Sequence, residues 1–344
     1  MRKYNVAVLG ATGAVGQELL SLLKERNFPA AEIKALASAR SAGKKIEVAG
    51  RQYTIEAATA ESFAGVEIAF FCAGGSVSLE LAPQAVAAGA VVIDNTSAFR
   101  MDPAVPLVVP EVNPQAIFQH KGIIANPNCS TIIMLAALWP LHKAAGIKRI
   151  VVSTYQAVSG AGKEGMDELT EQTKANLRGA KAEAKVLPVS SLPKHYPIAF
   201  NLLPQIDVFA EEDYTKEEWK MVNETHKIMD PQIAVSATTV RVPVYRCHSE
   251  SVNIELEKPL SPAAARELLA AAPGVRVLDQ PEEMLYPQPA LLSGEDDVYV
   301  GRIRRDLTVP AGLNLWIVGD QIRKGAALNA IQIGERLVRG EQDK

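Results

Sequence analysis

From Tyr4 to Arg26 the chain reads YNVAVLGATGAVGQELLSLLKER. An apolar run of strand length passes into a glycine turn and then into apolar residues at helical spacing, so the chain opens as strand, turn and helix. Gly10, Gly13 and Gly16 stand in G-x-x-G-x-x-G spacing, with Thr12, Ala14 and Val15 between them. Between a strand end and a helix start, backbone N–H groups and the helix N-terminus can meet a pyrophosphate. The spacing departs from G-x-G-x-x-G, and the plain alternative is a tight turn. Its place at the first βα junction favours dinucleotide binding.

The alternation continues. IKALAS and EIAFFCAGG are apolar runs ending in small residues, VSLELAPQAVAAG is helical, and AVVIDN is a further strand. Near-continuous apolar strands alternating with helices predict a Rossmann-like, doubly wound parallel sheet. After about residue 128 the runs lengthen and alternate, as in IKRIVVSTYQAVSG, SATTVRVPVY, HSESVNIELE and NLWIVGDQI. That pattern predicts an α+β domain on a mixed sheet. With 344 residues, two domains are expected, an α/β cofactor domain at 1–128 and a catalytic domain at 129–324. GAALNAIQIGERLVRGE is read as an amphipathic helix, 325–344, packing back on the first domain.

The net charge of -3 comes without any basic stretch, which argues against nucleic acid or an anionic membrane as a partner. No apolar segment has the length to span a bilayer, and the first residues lack a secretory h-region. Three cysteines, none in a C-x-x-C pair, give neither a disulfide framework nor a metal site, and a reducing cytoplasm is expected.

The second strand bears on the choice of cofactor. An NAD site usually places an acid about 20 residues on, at the end of that strand, for the ribose 2′-hydroxyl. Here the strand ends ALASARSAGKK. Ser38, Arg40 and Ser41 are placed for a 2′-phosphate, with Lys44 and Lys45 adding positive potential, so NADP is expected; the alternative is a solvated basic loop.

In GIIANPNCSTIIMLAAL, Cys129 stands at the expected first turn of a helix, where unpaired N–H groups favour a thiolate and can receive an oxyanion. A buried structural cysteine fits that junction equally well. A nucleophile needs a base, and His120, His142, His195, His226 and His248 are all available, because the partner need be near only in space. In VRVPVYRCHSES, Arg241 and His248 flank a bend or lie on opposite faces of one strand. Cys72 and Cys247 are read as structural.

Taken together, GATGAVG, NPNCST, STYQAVSGAG, EEWK, RVPVYRCHSES and VGDQIRKGAALN resemble the aspartate-semialdehyde dehydrogenase family, in the family's order and over nearly the whole chain. The resemblance implies NADP-dependent interconversion of L-aspartate 4-semialdehyde and L-4-aspartyl phosphate, a step toward lysine, threonine, methionine and isoleucine. It implies a homodimer formed through the second domain. It makes Cys129 the nucleophile that forms an acyl-enzyme and His248 the acid/base that takes and returns its proton. Gln156 positions the substrate, Arg241 binds its α-carboxylate and Glu218 its ammonium group. Arg100, Lys220 and Asn128 are implied for phosphate, and Ser159, Gly160 and Gln321 for the cofactor.

Each charge of that substrate has a chemically suited partner: a bidentate guanidinium for the carboxylate, a carboxylate for the ammonium and two cations for the phosphoryl group. Locally, TKEEWK also reads as a helix start behind a Thr cap. Arg100 could be a loop charge, and Gly160, Gly162 and Gly165 a flexible turn. Two alternatives remain at this level, an N-acetyl-glutamyl-phosphate reductase and a silent NADP-binding protein of the same fold.

Overall fold

The computed structural model describes residues 2–342. Its contacts divide into two units, one of residues 1–128 with 326–344 and one of residues 129–325. The closing helix is present as Leu328–Gln342. Positions 343 and 344 of the helix expected there lie outside the described residues.

The first unit is built on β1 (Tyr4–Leu9), α1 (Ala14–Glu25), β2 (Ala30–Ala37), β3 (Lys45–Val48), β4 (Arg51–Ala57), β5 (Ile68–Phe71), α2 (Gly75–Ala87), β6 (Val91–Asp94) and β7 (Ile123–Ala125). The sheet order is β3-β4-β2-β1-β5-β6-β7, so the chain starts centrally and winds outward both ways. All pairings are parallel except β3 with β4, an antiparallel hairpin at one edge that the apolar pattern did not announce. Its strands are KIEV and RQYTIEA, short and half polar, as an exposed edge favours. The central strands are buried on both faces and bear Val, Leu, Ile and Phe without alternation. One face carries α1 and the Leu328–Gln342 helix, joined by the Arg26–Glu335 ion pair at 2.7 Å, with Leu19, Leu22, Ile331 and Leu337 in one buried cluster.

The second unit comprises α3 (Cys129–Ala145), β8 (Ile147–Gln156), α4 (Gly162–Leu177), α5 (Lys216–Ile228), β9 (Ala234–Arg241), β10 (His248–Leu256), α6 (Pro262–Ala270), β11 (Val275–Val277), the short α7 (Pro289–Leu292), β12 (Val298–Arg305) and β13 (Gly312–Gly319). Its sheet order is β11-β12-β13-β10-β8-β9, with parallel pairing at both outer edges and antiparallel pairing between. Helix α3 is apolar nearly all round and buried from Ser130 to Leu138, which fixes its axis and hence the position of its first residue. One consequence of this topology positions the site. Gln156 pairs with Arg241 and His248 with Gly319, so the ends of β8, β9 and β13 and the start of β10 share one edge of the sheet.

Candidate active site

Cys129 is the first residue of α3 and is half-buried. Its Sγ lies 3.3 Å from Nε2 of His248, the first residue of β10. The structure therefore selects one of the five histidines and brings it to the sulfur across 119 positions. His248 is fully buried. Burial, and next the Arg241 guanidinium, pull its pKa down to about 3, against the opposing pull of Glu217.

Backbone constraints surround the pair. A Cβ at Gly325 would come within 2.9 Å of Cys129 Cβ, so only glycine leaves Cys129 its place. Cys247, immediately before His248, has φ 73, a left-handed conformation that strains any residue with a side chain. Its N–H is held by Gln321 Oε1 at 2.7 Å, and Gln321 Nε2 in turn donates to Ser159 Oγ. Ser159 and Gln321, implied for the cofactor, thus brace the corner that presents His248. The Cys247 thiol is buried and pushed up to about 12, which keeps it inert. Cys72 is pushed up to about 12 likewise, and its thiol donates to the Leu9 carbonyl.

Arg241, 4 % exposed, donates through Nη1 to the Ala157 carbonyl at 2.7 Å, while its Nε meets no partner among the described residues. A buried donor without an acceptor is costly, and a ligand carboxylate would satisfy it. Any Cβ at Gly160 would fall 2.7 Å from Arg241 Nη1 and 3.6 Å from His248 Cε1, so this glycine keeps guanidinium and imidazole side by side. Gln156 Nε2 reaches Ser130 Oγ at 2.7 Å, Thr154 Oγ1 at 3.3 Å and Glu217 Oε1 at 3.2 Å.

Helix α5 bears on the role expected of Glu218. Both carboxylate oxygens of Glu218 are taken by backbone: Oε2 accepts from Thr215 N–H at 2.7 Å and Oε1 from Thr239 N–H at 2.9 Å. Glu218 is the N3 member of a capping box with Thr215 and holds its own helix start. Its neighbour Glu217, which the sequence reading passed over, faces the site instead. Beyond Gln156 it meets Lys220 Nζ at 3.0 Å, and Lys220 also binds Asp207 Oδ2 at 3.0 Å. Burial pulls the Lys220 pKa down, but Glu217 and Asp207 together outweigh it and hold the ammonium above the usual lysine range. The missed signal was the spacing: a glutamate three positions before Lys220 shares its face, whereas the glutamate three positions after Thr215 caps.

Arg100 belongs to the first unit and Lys220 to the second. Arg100 is nearly buried and tied by Nε to Asn126 O at 2.9 Å and by Nη2 to Asn95 O at 2.7 Å. Asn128, also nearly buried, is the last residue of the first stretch of that unit.

The glycine turn fits a dinucleotide. Gly10 has φ +92, and a Cβ there would meet the Cys72 backbone at 2.9 Å. At Gly16 it would lie 2.1 Å from the Gly10 carbonyl, so strand and helix pack backbone to backbone. Helix α1 follows the N-cap Gly13, which offers no side-chain cap, and has no acid in its first turn. Thr12 and Gly13 are exposed, and Ala14 and Val15 half-buried, so the turn faces outward. After β2 ends at Ala37, Ser38 and Arg40 are exposed and Ser41 half-buried, with no carboxylate before Glu47. No metal-ligand cluster occurs among the described residues.

Two family models match the chain. Residues 5–120 match the family "Semialdehyde dehydrogenase, NAD binding domain" and residues 138–324 "Semialdehyde dehydrogenase, dimerisation domain". The chain is 56% identical over 340 residues to an aspartate-semialdehyde dehydrogenase of Aquifex aeolicus, covering 98% of each. Its fold matches the crystal structure of aspartate semialdehyde dehydrogenase II from Vibrio cholerae complexed with ASA, with TM-score 0.94, 48% identity and coverage of 98% and 99%. A Candida albicans aspartate semialdehyde dehydrogenase solved with NADP matches at TM-score 0.74 and 26% identity, over 97% of this chain and 98% of that one.

Proposed function

The chain belongs to the aspartate-semialdehyde dehydrogenase family, and from that premise we propose how its own residues serve the reaction. It is a nucleotide-dependent oxidoreductase of aspartate semialdehyde and works as a homodimer. The direction assigned is reductive dephosphorylation of L-4-aspartyl phosphate through a Cys129 thioester. The observation that carries this assignment is the 3.3 Å approach of Cys129 Sγ to His248 Nε2.

Arg241, with its unpaired Nε, receives the substrate α-carboxylate. Glu217 takes the ammonium group, the role the resemblance had given to Glu218. Gln156, tied to Ser130 at the start of α3 and to Glu217, sets the substrate carbonyl against the sulfur. Lys220, Arg100 and Asn128 serve the phosphoryl group. The Cys129 sulfur displaces phosphate and holds the aspartyl group as a thioester, which accepts hydride where a carboxylate does not.

The coenzyme assigned is NADP. Gly10, Thr12, Gly13, Ala14 and Val15 cradle its pyrophosphate, Ser38, Arg40 and Ser41 its 2′-phosphate, and Ser159, Gly160 and Gln321 border the reacting end. When bound, its nicotinamide supplies or accepts the hydride. Supporting this choice over NAD are the missing acid after β2 and the exposed Arg40. Among the described residues no helix is long and apolar enough to cross a membrane, and with the biosynthetic role this supports a cytoplasmic site of action.

The deciding experiment is phosphate-dependent reduction of NADP with aspartate semialdehyde. Turnover requiring all three components is expected; activity with N-acetyl-glutamate semialdehyde in its place would move the assignment to the reductase reading.

A further inference from the structure

Where β13 leaves the sheet, directly after the residue paired with His248, the chain buries a carboxylate outside the set assigned to substrate and cofactor. Asp320 is 1 % exposed. Its Oδ1 accepts from the backbone N–H groups of Ile322 and Arg323, both at 3.0 Å. Its Oδ2 accepts from Gly294 N–H at 2.7 Å and from Nε of Arg246. Its backbone carbonyl accepts from Gly325 N–H at 3.0 Å, a π-type bond that leads into the turn Arg323–Ala327. Resting on the family reading of the Cys129–His248 pair, we propose that Asp320 is the positioning residue for that pair, holding His248 through Arg246 and seating Cys129 through the turn at Gly325, without itself touching the reacting atoms.

One arm runs to the imidazole. Arg246 stands two residues before His248, at the corner where Cys247 takes its φ of 73. Gln321, next to Asp320, holds the Cys247 N–H at 2.7 Å, so consecutive side chains of one segment grip consecutive residues of the other. The other arm runs to the sulfur. Oδ1 and the backbone carbonyl of Asp320 fix the N–H groups of Ile322, Arg323 and Gly325, and a Cβ at Gly325 would come within 2.9 Å of Cys129 Cβ. A shift of this turn is therefore a shift of the surface against which Cys129 packs. Both arms meet at one residue, and the 3.3 Å separation of Sγ and Nε2 lies between their ends.

The partners of Asp320 are all donors, and an ionised carboxylate offers acceptors at both oxygens. An asparagine cannot do so. With its amide nitrogen in the place of Oδ2 it sets N–H against Arg246 and Gly294, and turned over it sets N–H against Ile322 and Arg323. Either way one arm is released while the side-chain volume is kept, and the buried donors lose their bonds at full cost. Arg246 is partly exposed, so water can take the place of its guanidinium. Removing it frees the imidazole arm alone and leaves the turn at Gly325 tied.

The test compares Asp320→Asn and Arg246→Gln with the wild-type enzyme, and with Asp306→Asn as a control. Asp306 also ties its own turn, through Thr308 N–H and Oγ1 at 2.8 and 2.7 Å, but its N–H bonds Gly312, at the end of β10 and β13 remote from His248. Asp320→Asn should lower kcat by about tenfold to a hundredfold, with KM for aspartate semialdehyde and phosphate within about twofold, as for a misplaced reacting pair. Arg246→Gln should lose less, about threefold to tenfold. Asp306→Asn should lower the melting temperature and leave kcat unchanged. Without substrate, alkylation of Cys129, followed on its own peptide by mass spectrometry, should slow several-fold in Asp320→Asn and Arg246→Gln as the thiol loses its imidazole neighbour. Mere loosening of the fold would speed it instead. Unchanged or faster alkylation, a raised KM at unaltered kcat, or an equal kcat loss in Asp306→Asn would overturn the proposal. If Asp320→Asn does not fold, Arg246→Gln decides by the same readouts. A wild-type enzyme inert in the phosphate-dependent assay would sink the family reading, and alkylation would still decide whether Asp320 holds the pair.

Discussion

The two ligand-facing regions of this protein are made in opposite ways. In the first unit the dinucleotide turn is one continuous stretch, Gly10 to Val15, that works by backbone and by missing Cβ atoms. In the second, Cys129, Gln156, Glu217, Arg241 and His248 come from five separate segments and meet through their side chains. The contrast teaches where each is vulnerable: the turn to added atoms, the catalytic edge to removed functional groups.

Cys129→Ala is the sharpest instance of the second kind. Turnover should fall by at least about a thousandfold while NADPH binding, followed by fluorescence, stays close to wild type. A variant that still turns over would break the contrast. Gly16→Ala is its counterpart. With a Cβ only 2.1 Å from the Gly10 carbonyl, backbone must move, at a cost on the order of 3 kcal/mol that thermal unfolding would register. A wild-type melting temperature would show the turn to be less tightly built.

Two adjacent glutamates carry the contrast to a single turn of α5. Glu217→Gln is expected to raise KM for aspartate semialdehyde by about tenfold to a hundredfold, through loss of the charge facing ammonium. Glu218→Gln should leave KM alone, and its cost should be about 1 kcal/mol or less in stability, as for a weakened cap. The reverse result would restore the role first given to Glu218. The smallest effect expected is at Arg40. Arg40→Ala should lower the NADPH-over-NADH ratio of kcat/KM by about fivefold to tenfold, and an unchanged ratio would remove Arg40 from 2′-phosphate recognition.

The same contrast explains what the sequence could disclose. The glycine turn was legible because every atom that builds it lies within one short segment, and the winding of the first sheet followed from its unbroken apolar strands. The edge pairing of β3 with β4 was not, since KIEV and RQYTIEA carry no apolar face that demands burial. At the catalytic edge Cys129 was visible as a helix start, yet its partner among five histidines came from family resemblance, because a 119-residue separation has no local signature. Thr215 already marked Glu218 as a cap, and the family carry-over did not use that signal. Cys247, at φ 73, was read only as structural; nothing in RCHSE discloses that the chain must turn left-handed to aim His248.

The chain leaves the first unit after Asn128 and rejoins it at Ala326, so the second unit begins with Cys129 and ends with Gly325, whose missing Cβ makes room for that same residue. In effect it is an inserted module whose two joints meet at one thiol. Most grafted domains tolerate a few extra or missing residues where they join their host. Here both joints lie beside one side chain, since the unit begins at Cys129 and a Cβ at Gly325, its last residue, would come within 2.9 Å of the Cys129 Cβ.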